Sequence, residues 1–396
     1  MDLLKKQSDA ILKKTPLKHF RNLYFEIPWN NRLIGIKGAR GVGKTTLMLQ
    51  RMALGFPDKN KALYVTLDNI WFADHSLIDL AELSLERGIT HLFLDEVHKF
   101  RGWQQQIKNI YDLYQDLSIV FTGSSLLEID NSISDLSRRL LLFNLRGLSF
   151  REYLAFEGYD FKEFSLEDIL YNHTSLANKI IEEIPVLKLF HRYLVEGYYP
   201  FYKDSTRIEY LMRVGNIITT VIDNDIPAVE NVEYNTLVKC KKLLAILASQ
   251  SPSPLNASNL ANSLDITHNQ LVKILFLLDR AEILRLIYYK TEINPKSIIK
   301  PQKILFDNSS LLYALGNENL GKIRETFLAS RVNTRYKIGY PKNGDLIIEN
   351  RYLLEIGGKD KSYRQIADIP DSYLAVDNIE FGVGNRIPLW LFGFLY

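Results

Sequence analysis

Gly38-Ala39-Arg40-Gly41-Val42-Gly43-Lys44-Thr45-Thr46 decides the fold of this chain. It fills every fixed position of the pattern G-x-x-x-x-G-K-[ST]. Leu33-Ile34-Gly35-Ile36 before it is a short apolar run of strand character, and the apolar spacing of residues 47–53 fits a helix that starts at the lysine. Glycines let a backbone wrap closely, so that its N–H groups converge on phosphate oxygens at a helix N-terminus. Lys44 is expected to reach the β- and γ-phosphates of a nucleotide, and the Thr45 hydroxyl to bind Mg²⁺. A plain glycine-rich turn before a helix would need none of these residues together.

A hydrolytic site needs a second element, and His91-Leu92-Phe93-Leu94-Asp95-Glu96 supplies it as an apolar strand ending in two acids. Asp95 is expected to hold Mg²⁺ through water, and Glu96 to orient and polarise the attacking water as general base. Adjacent carboxylates repel, so the pair is comfortable only beside a cation. A third strand, residues 118–121, ends in Thr122-Gly123-Ser124-Ser125, where Thr122 or Ser124 can bond the γ-phosphate or the lytic water; the same run also suits a simple turn. Arg138 and Arg139 follow. Arg139 can neutralise charge on the γ-phosphate, in its own subunit or a neighbour, or be a surface cation. Strands at 62–67 and 142–145 alternate with helical patterns at 76–87 and 104–114, which predicts a parallel sheet with both faces covered. The guanine-reading Asn-Lys-x-Asp motif is absent from the sequence, so the expected ligands are ATP and Mg²⁺.

The length, 396 residues, suggests roughly two to four domains. A composition of 46% hydrophobic and 24% charged residues is that of a globular protein, and a net charge of +3 neither requires nor excludes a nucleic-acid partner. Apolar stretches such as residues 389–396 are too short to span a bilayer. Residues 1–16 carry lysines but no apolar segment of the signal-peptide kind. The one cysteine, Cys240, cannot form an internal disulfide and lies in a helical pattern that buries it. A cytoplasmic protein without a membrane partner is the expectation.

Taken together, several runs resemble one family. They are Asp95-Glu96-Val97-His98-Lys99, then Trp103, Thr122-Gly123-Ser124-Ser125 and Leu148-Ser149-Phe150-Arg151-Glu152-Tyr153-Leu154. Gly197-Tyr198-Tyr199-Pro200, Lys303-Ile304-Leu305-Phe306-Asp307 and Ile387-Pro388-Leu389-Trp390 continue the likeness. The chain looks like the AAA+-type P-loop ATPases of bacteria and archaea whose C-terminal domain has no assigned function. The resemblance implies an α/β fold with a parallel-sheet ATPase core at 1–147 and a helical lid at 148–230. It further implies a winged helix-turn-helix at 231–295 and a restriction-endonuclease-like domain at 296–396.

The residues agree with that order. Residues 149–225 are helical in pattern and rich in aromatics (Tyr153, Phe156, Tyr193, Tyr198, Tyr199), which at helical spacing predicts core. Leu260 and Leu264 mark one helix, Asp265-Ile266-Thr267 a turn, and Leu271, Ile274, Leu275 and Leu278 the buried face of the next. Its outward His268, Asn269, Gln270 and Lys273 could read DNA, although only Lys273 and Arg280 are reliable cations there; a partner-binding module fits equally. Further on, strands at 335–340, 345–349 and 352–356 carry Asp345, Glu355 and Lys359 after a helix carrying Glu325. Metal-dependent nucleases need two acids and a lysine at one edge, usually as Glu-x-Lys. Here Gly357 stands at the lysine position and Lys359 two places late, about 6–7 Å further along a strand. An inactive domain serving as an interaction surface is the alternative.

The function expected from the sequence is an Mg²⁺-dependent ATPase that moves a DNA- or protein-binding C-terminal half, with a homo-oligomer left open. Two alternatives stand beside it: a nucleotide-dependent switch with little turnover, and an ATP-regulated metal-dependent nuclease.

Overall fold

The computed structural model describes residues 1–123, 136, 138–229, 232–249, 257–289 and 301–396. Two compact units divide at 147/148.

In the first unit, five strands form a wholly parallel sheet: β1 (Leu33–Lys37), β2 (Ala62–Thr66), β3 (His91–Asp95), β4 (Ser118–Gly123) and β5 (Leu141–Asn144). The order across the sheet is β2-β3-β4-β1-β5. Parallel strands need helical crossovers, supplied by Lys44–Gly55, Leu77–Glu86 and Trp103–Leu113. The helices bury Leu47, Met48 and Met52, then Leu77, Leu80 and Ala81, then Trp103, Ile107 and Ile110. β1, β3 and β4 are buried along nearly their whole length, as their near-continuous apolar runs predict. Gly35 is what lets β1 pack beside β4, since a Cβ there would lie 2.8 Å from the Phe121 ring. Because every strand runs the same way, the C-terminal ends of β1, β3 and β4 lie side by side. Register sets Thr66 beside Asp95 and Ile36 beside Thr122.

The second unit begins with helices Phe150–Glu157, Leu166–Ile181, Val186–Glu196 and Arg207–Thr220. Ser149 with Glu152, Ser165 with Asp168 and Thr206 with Glu209 form reciprocal capping boxes that fix three of their starts. Tyr153, Tyr193, Tyr198 and Tyr199 are buried as predicted, while Phe156 is half-buried. Their core is shared with the chain's far end. Phe150 packs edge-on to Phe394, Phe190 packs on Phe327, and the Arg151 Nε donates to the Tyr396 carbonyl at 3.1 Å. The fully buried Arg331 donates to the Leu148 carbonyl at 3.0 Å. The boundaries expected at 230/231 and 295/296 fall inside this unit.

Tyr234–Ser249, Ala257–Leu264 and His268–Arg280 follow, then an antiparallel hairpin of β6 (Leu284–Ile287) and β7 (Lys303–Phe306). The turn between the second and third of these helices is the expected one, with Asp265 at φ +52° and Thr267 capping His268–Arg280. After helix Leu320–Val332 comes a mixed sheet in the order β12-β11-β10-β9-β8. β8 (Ile338–Gly339), β9 (Leu346–Ile348) and β10 (Tyr352–Gly357) are antiparallel, while β11 (Ser372–Val376) and β12 (Arg386–Pro388) join β10 in parallel. Among the described residues no helix is long and apolar enough to cross a membrane.

The contact of Phe150 with the terminal segment is close enough to test. A Cβ on Gly393 would lie 2.4 Å from the Phe150 Cβ. Gly393→Ala is therefore expected to destabilise the protein by about 1–3 kcal/mol through overpacking, read as a lowered Tm in thermal unfolding. An unchanged Tm would show that this packing is looser than described.

Candidate functional site

The loop after β1 holds its shape through glycine. Gly43 caps the Lys44–Gly55 helix at φ +98°. Gly38 sits at φ +151° with its Cα so near β5's end that a Cβ would lie 2.2 Å from the Leu145 carbonyl oxygen. Ala39, Arg40, Gly41 and Val42 complete the turn, and Thr45 and Thr46 begin the helix. Lys44 is 5% exposed, and its ammonium folds back to donate to the Gly38 and Ala39 carbonyls at 2.7 and 2.8 Å. Behind the loop, the buried Arg21 donates to the carbonyls of Val42 at 2.8 Å and Arg146 at 2.7 Å. It pins the loop to the chain that leaves β5.

Asp95 ends β3 and is 4% exposed. A carboxylate this buried needs hydrogen-bond donors, and three hydroxyls from three elements supply them. Thr45 donates to Oδ2 at 2.7 Å, Tyr64 on β2 donates to the same oxygen at 2.9 Å, and Thr122 on β4 donates to Oδ1. The Tyr64 phenol is held well above its usual range, first by burial and then by the Asp95 charge, so it stays a donor. Glu96 follows in the left-handed region at φ +56°, which turns its side chain out of the strand line. Its backbone N–H donates to Thr122 Oγ1 at 3.4 Å, and its Oε2 lies 3.4 Å from Nε2 of the buried His98. Lys44, Thr45, Asp95, Glu96 and Thr122 thus converge at one edge of the sheet.

The oxygen set of Thr45 and Asp95 fits a hard divalent cation such as Mg²⁺, and the glycine cradle with a movable lysine fits polyphosphate. Thr122 differs from expectation in its partner: its hydroxyl is engaged by Asp95. Ser124 lies outside the described residues. Arg139 stands apart. It pairs with Asp112 through Nε at 2.8 Å and Nη2 at 3.0 Å. It also precedes β5, whose Leu141 lies opposite Ile34 near the start of β1. The phosphate loop leaves the other edge, so the length of β5, roughly 10–13 Å, separates the two. Tyr64 and Arg21 were not singled out from the sequence.

In the second unit, Glu325, Asp345 and Glu355 gather beside two lysines. Lys303 of β7 lies 2.9 Å from Glu325 and 3.6 Å from Asp345, and Lys361 lies 2.5 Å from Glu355. Asp345 also accepts from the Ile356 N–H at 2.9 Å. Burial raises the Glu325 carboxyl, against the pull of Lys303 and with reinforcement from the Asp345 charge. Lys359, the lysine expected here, is exposed, and only its carbonyl is engaged, by Arg386 at 2.8 Å. Lys361 takes its place because Gly357 is bare: a Cβ there would lie 2.4 Å from the Lys361 Cβ. Among the described residues no three His, Cys, Asp or Glu side chains are grouped to hold a metal ion.

Along His268–Arg280 the expected reading face is partly spent. Gln270 Oε1 accepts from the Thr267 N–H at 2.9 Å as part of the cap. Asn269 and Lys273 border a groove of about 470 Å³ lined with Val272, Phe276, Leu286 and Tyr288.

Comparison with known proteins agrees with the core. Residues 30–154 match the family described as an AAA domain, and residues 187–322 match a domain of unknown function, DUF8612. An uncharacterized protein of Methanocaldococcus jannaschii, MJ1637, is 29% identical over 372 residues, spanning 84% of this chain and 77% of its own. Among solved structures, AMPPCP-bound DnaA from Aquifex aeolicus is 14% identical, with a TM-score of 0.28 over 70% of this chain and 88% of that one. The S. cerevisiae Hsp104–ADP complex is 13% identical, with a TM-score of 0.29 over 69% of this chain and 39% of that one. Likenesses at those scores establish nothing here. The AAA-domain match over residues 30–154, the parallel sheet and the phosphate loop support a P-loop NTPase α/β core in the N-terminal unit.

The lysine correction predicts a contrast between two substitutions. Lys361→Met leaves the Glu355 carboxylate, whose side chain is 5% exposed, without its cation and is expected to cost about 1–3 kcal/mol. Lys359→Met is expected to stay within about 0.5 kcal/mol of the parent. Denaturant unfolding of both variants reads the difference.

Proposed function

We propose that this protein binds ATP with Mg²⁺ and hydrolyses it, and that the nucleotide cycle moves the second unit against a partner. The observation that carries the reading is the 2.7 Å bond from Thr45, at the phosphate loop, to the buried Asp95, with Glu96 next in sequence. Loop hydroxyl, strand carboxylate and a second acid stand together, as hydrolysis of a bound triphosphate requires.

The roles follow from the chemistry of each group. Lys44 exchanges the loop carbonyls for phosphate oxygens, and the loop N–H groups hold the phosphates from below. Thr45 and Asp95 would hold Mg²⁺, which when bound would neutralise charge on the phosphates. Glu96 orients a water for in-line attack and accepts its proton as the oxygen bonds to the γ-phosphorus. The bond to the β-phosphate breaks, leaving ADP and inorganic phosphate. Thr122 acts through Asp95 in this reading rather than on the water. Arg139, paired with Asp112, is a surface cation of its own chain in this reading or serves the γ-phosphate of a neighbouring copy.

The apolar groove along His268–Arg280 and the use of Gln270 as a cap support a protein partner over DNA for the helix-turn-helix and hairpin, which we read as the winged module. The nuclease reading is supported by the meeting of Glu325, Asp345 and Glu355. Against it, Lys303 and Lys361 already neutralise these acids. We therefore assign the cluster to an ion network that fastens the β6–β7 hairpin to the C-terminal sheet.

Glu96→Gln tests the reaction. Steady-state turnover is expected to fall about 10²-fold or more, while ATP affinity stays within a few-fold of the parent. Unchanged turnover in that variant would remove Glu96 from the mechanism.

A further inference from the structure

Asp95 divides its two oxygens unequally. Oδ1 takes one hydroxyl, from Thr122, while Oδ2 takes two, from Thr45 and Tyr64. In the ATPase reading the Thr45 hydroxyl turns to the cation, and Oδ2 then keeps only the Tyr64 phenol. We propose that Tyr64 is a positioning residue for Asp95, fixing the plane of its carboxylate so that Oδ2 faces the Mg²⁺ water shell.

Several features single out this tyrosine. It comes from the sheet's outer strand, with β3 and β4 lying between it and the β1 that leads into the phosphate loop. Yet it is 6% exposed, and its hydroxyl lies 2.9 Å from Asp95. The terminal torsion of a carboxylate is broad; a fixed donor on one oxygen narrows it. Tyr64 is itself anchored, because its backbone N–H donates to Ser8 Oγ at 3.1 Å. Ser8 is fully buried on the N-terminal helix Asp2–Lys13. The orientation of the acid thus depends on a helix and an outer strand that lie outside the phosphate loop and the Asp95-Glu96 pair in sequence. Outer donors to a metal-binding carboxylate commonly contribute about 10–100-fold in metal affinity or activity.

The inference rests on the ATPase reading, and Tyr64→Phe in the full chain tests it. Phenylalanine keeps the ring and removes only the donor. The Mg²⁺ concentration for half-maximal turnover is expected to rise about tenfold and kcat to fall about tenfold, with KM for ATP within about twofold. Thermal unfolding monitors the fold. Para-aminophenylalanine at the same position, which restores a donor, is expected to recover most of the loss. Unaltered Mg²⁺ dependence and kcat in Tyr64→Phe would overturn the proposal, as would loss of activity that the amino analogue does not relieve. If neither protein turns over ATP, the hydrolysis reading fails by itself. The Mg²⁺ dependence of binding a fluorescent ATP analogue then decides Tyr64: a tenfold shift supports the role and no shift refutes it.

Discussion

A single negative charge, buried at the end of a central strand, organises the N-terminal unit. Asp95, only 4% exposed, needs the hydroxyls that reach it from the phosphate-loop helix, β2 and β4. That requirement constrains the sheet: β3 must lie between β2 and β4, and all three must end at one edge. A parallel sheet with helical crossovers delivers this, and Gly35 permits the close packing of β1 against Phe121. The phosphate loop hangs from the same edge, pinned from behind by Arg21. The same guanidinium also grips the Arg146 carbonyl, one residue short of the first unit's end.

The second unit is built on different physics. Its first helices close around aromatic rings from the chain's end, and buried cations tie the pieces together. Arg331 reaches the Leu148 carbonyl, Arg285 pairs with Asp307, and Tyr198 donates to the same Asp307 at 3.0 Å. Lys303 extends this network from the hairpin to Glu325 and Asp345. Buried pairs of this kind add little net stability, because desolvation consumes much of their attraction.

Much of this was legible in the sequence because its signals are local. The phosphate loop, the acid pair after an apolar run, the strand–helix alternation and the capped turn at Asp265-Ile266-Thr267 all lie within a few residues. The rest depends on what folding brings together. Tyr64 reads as an ordinary strand tyrosine until β2 is known to pair with β3, and Arg21 lies ahead of β1 with no local signal that ties it to the loop it serves. Lys359 kept the right spacing parity for a continuing strand, but the chain turns after Gly357 and Lys361 folds back over it. Arg139 is near Thr122 in sequence yet lies at the opposite edge, because a parallel strand must return to its starting side before it begins.

The central claim is that the hydroxyl-bound Asp95 and its neighbour Glu96 serve a working ATPase. Steady-state ATP hydrolysis by the purified full chain with Mg²⁺, beside Lys44→Ala, tests it most directly. Turnover that requires Mg²⁺ and disappears in the variant is the expected result. Tight ATP binding with no turnover, with or without DNA present, would contradict it and leave a nucleotide-dependent switch.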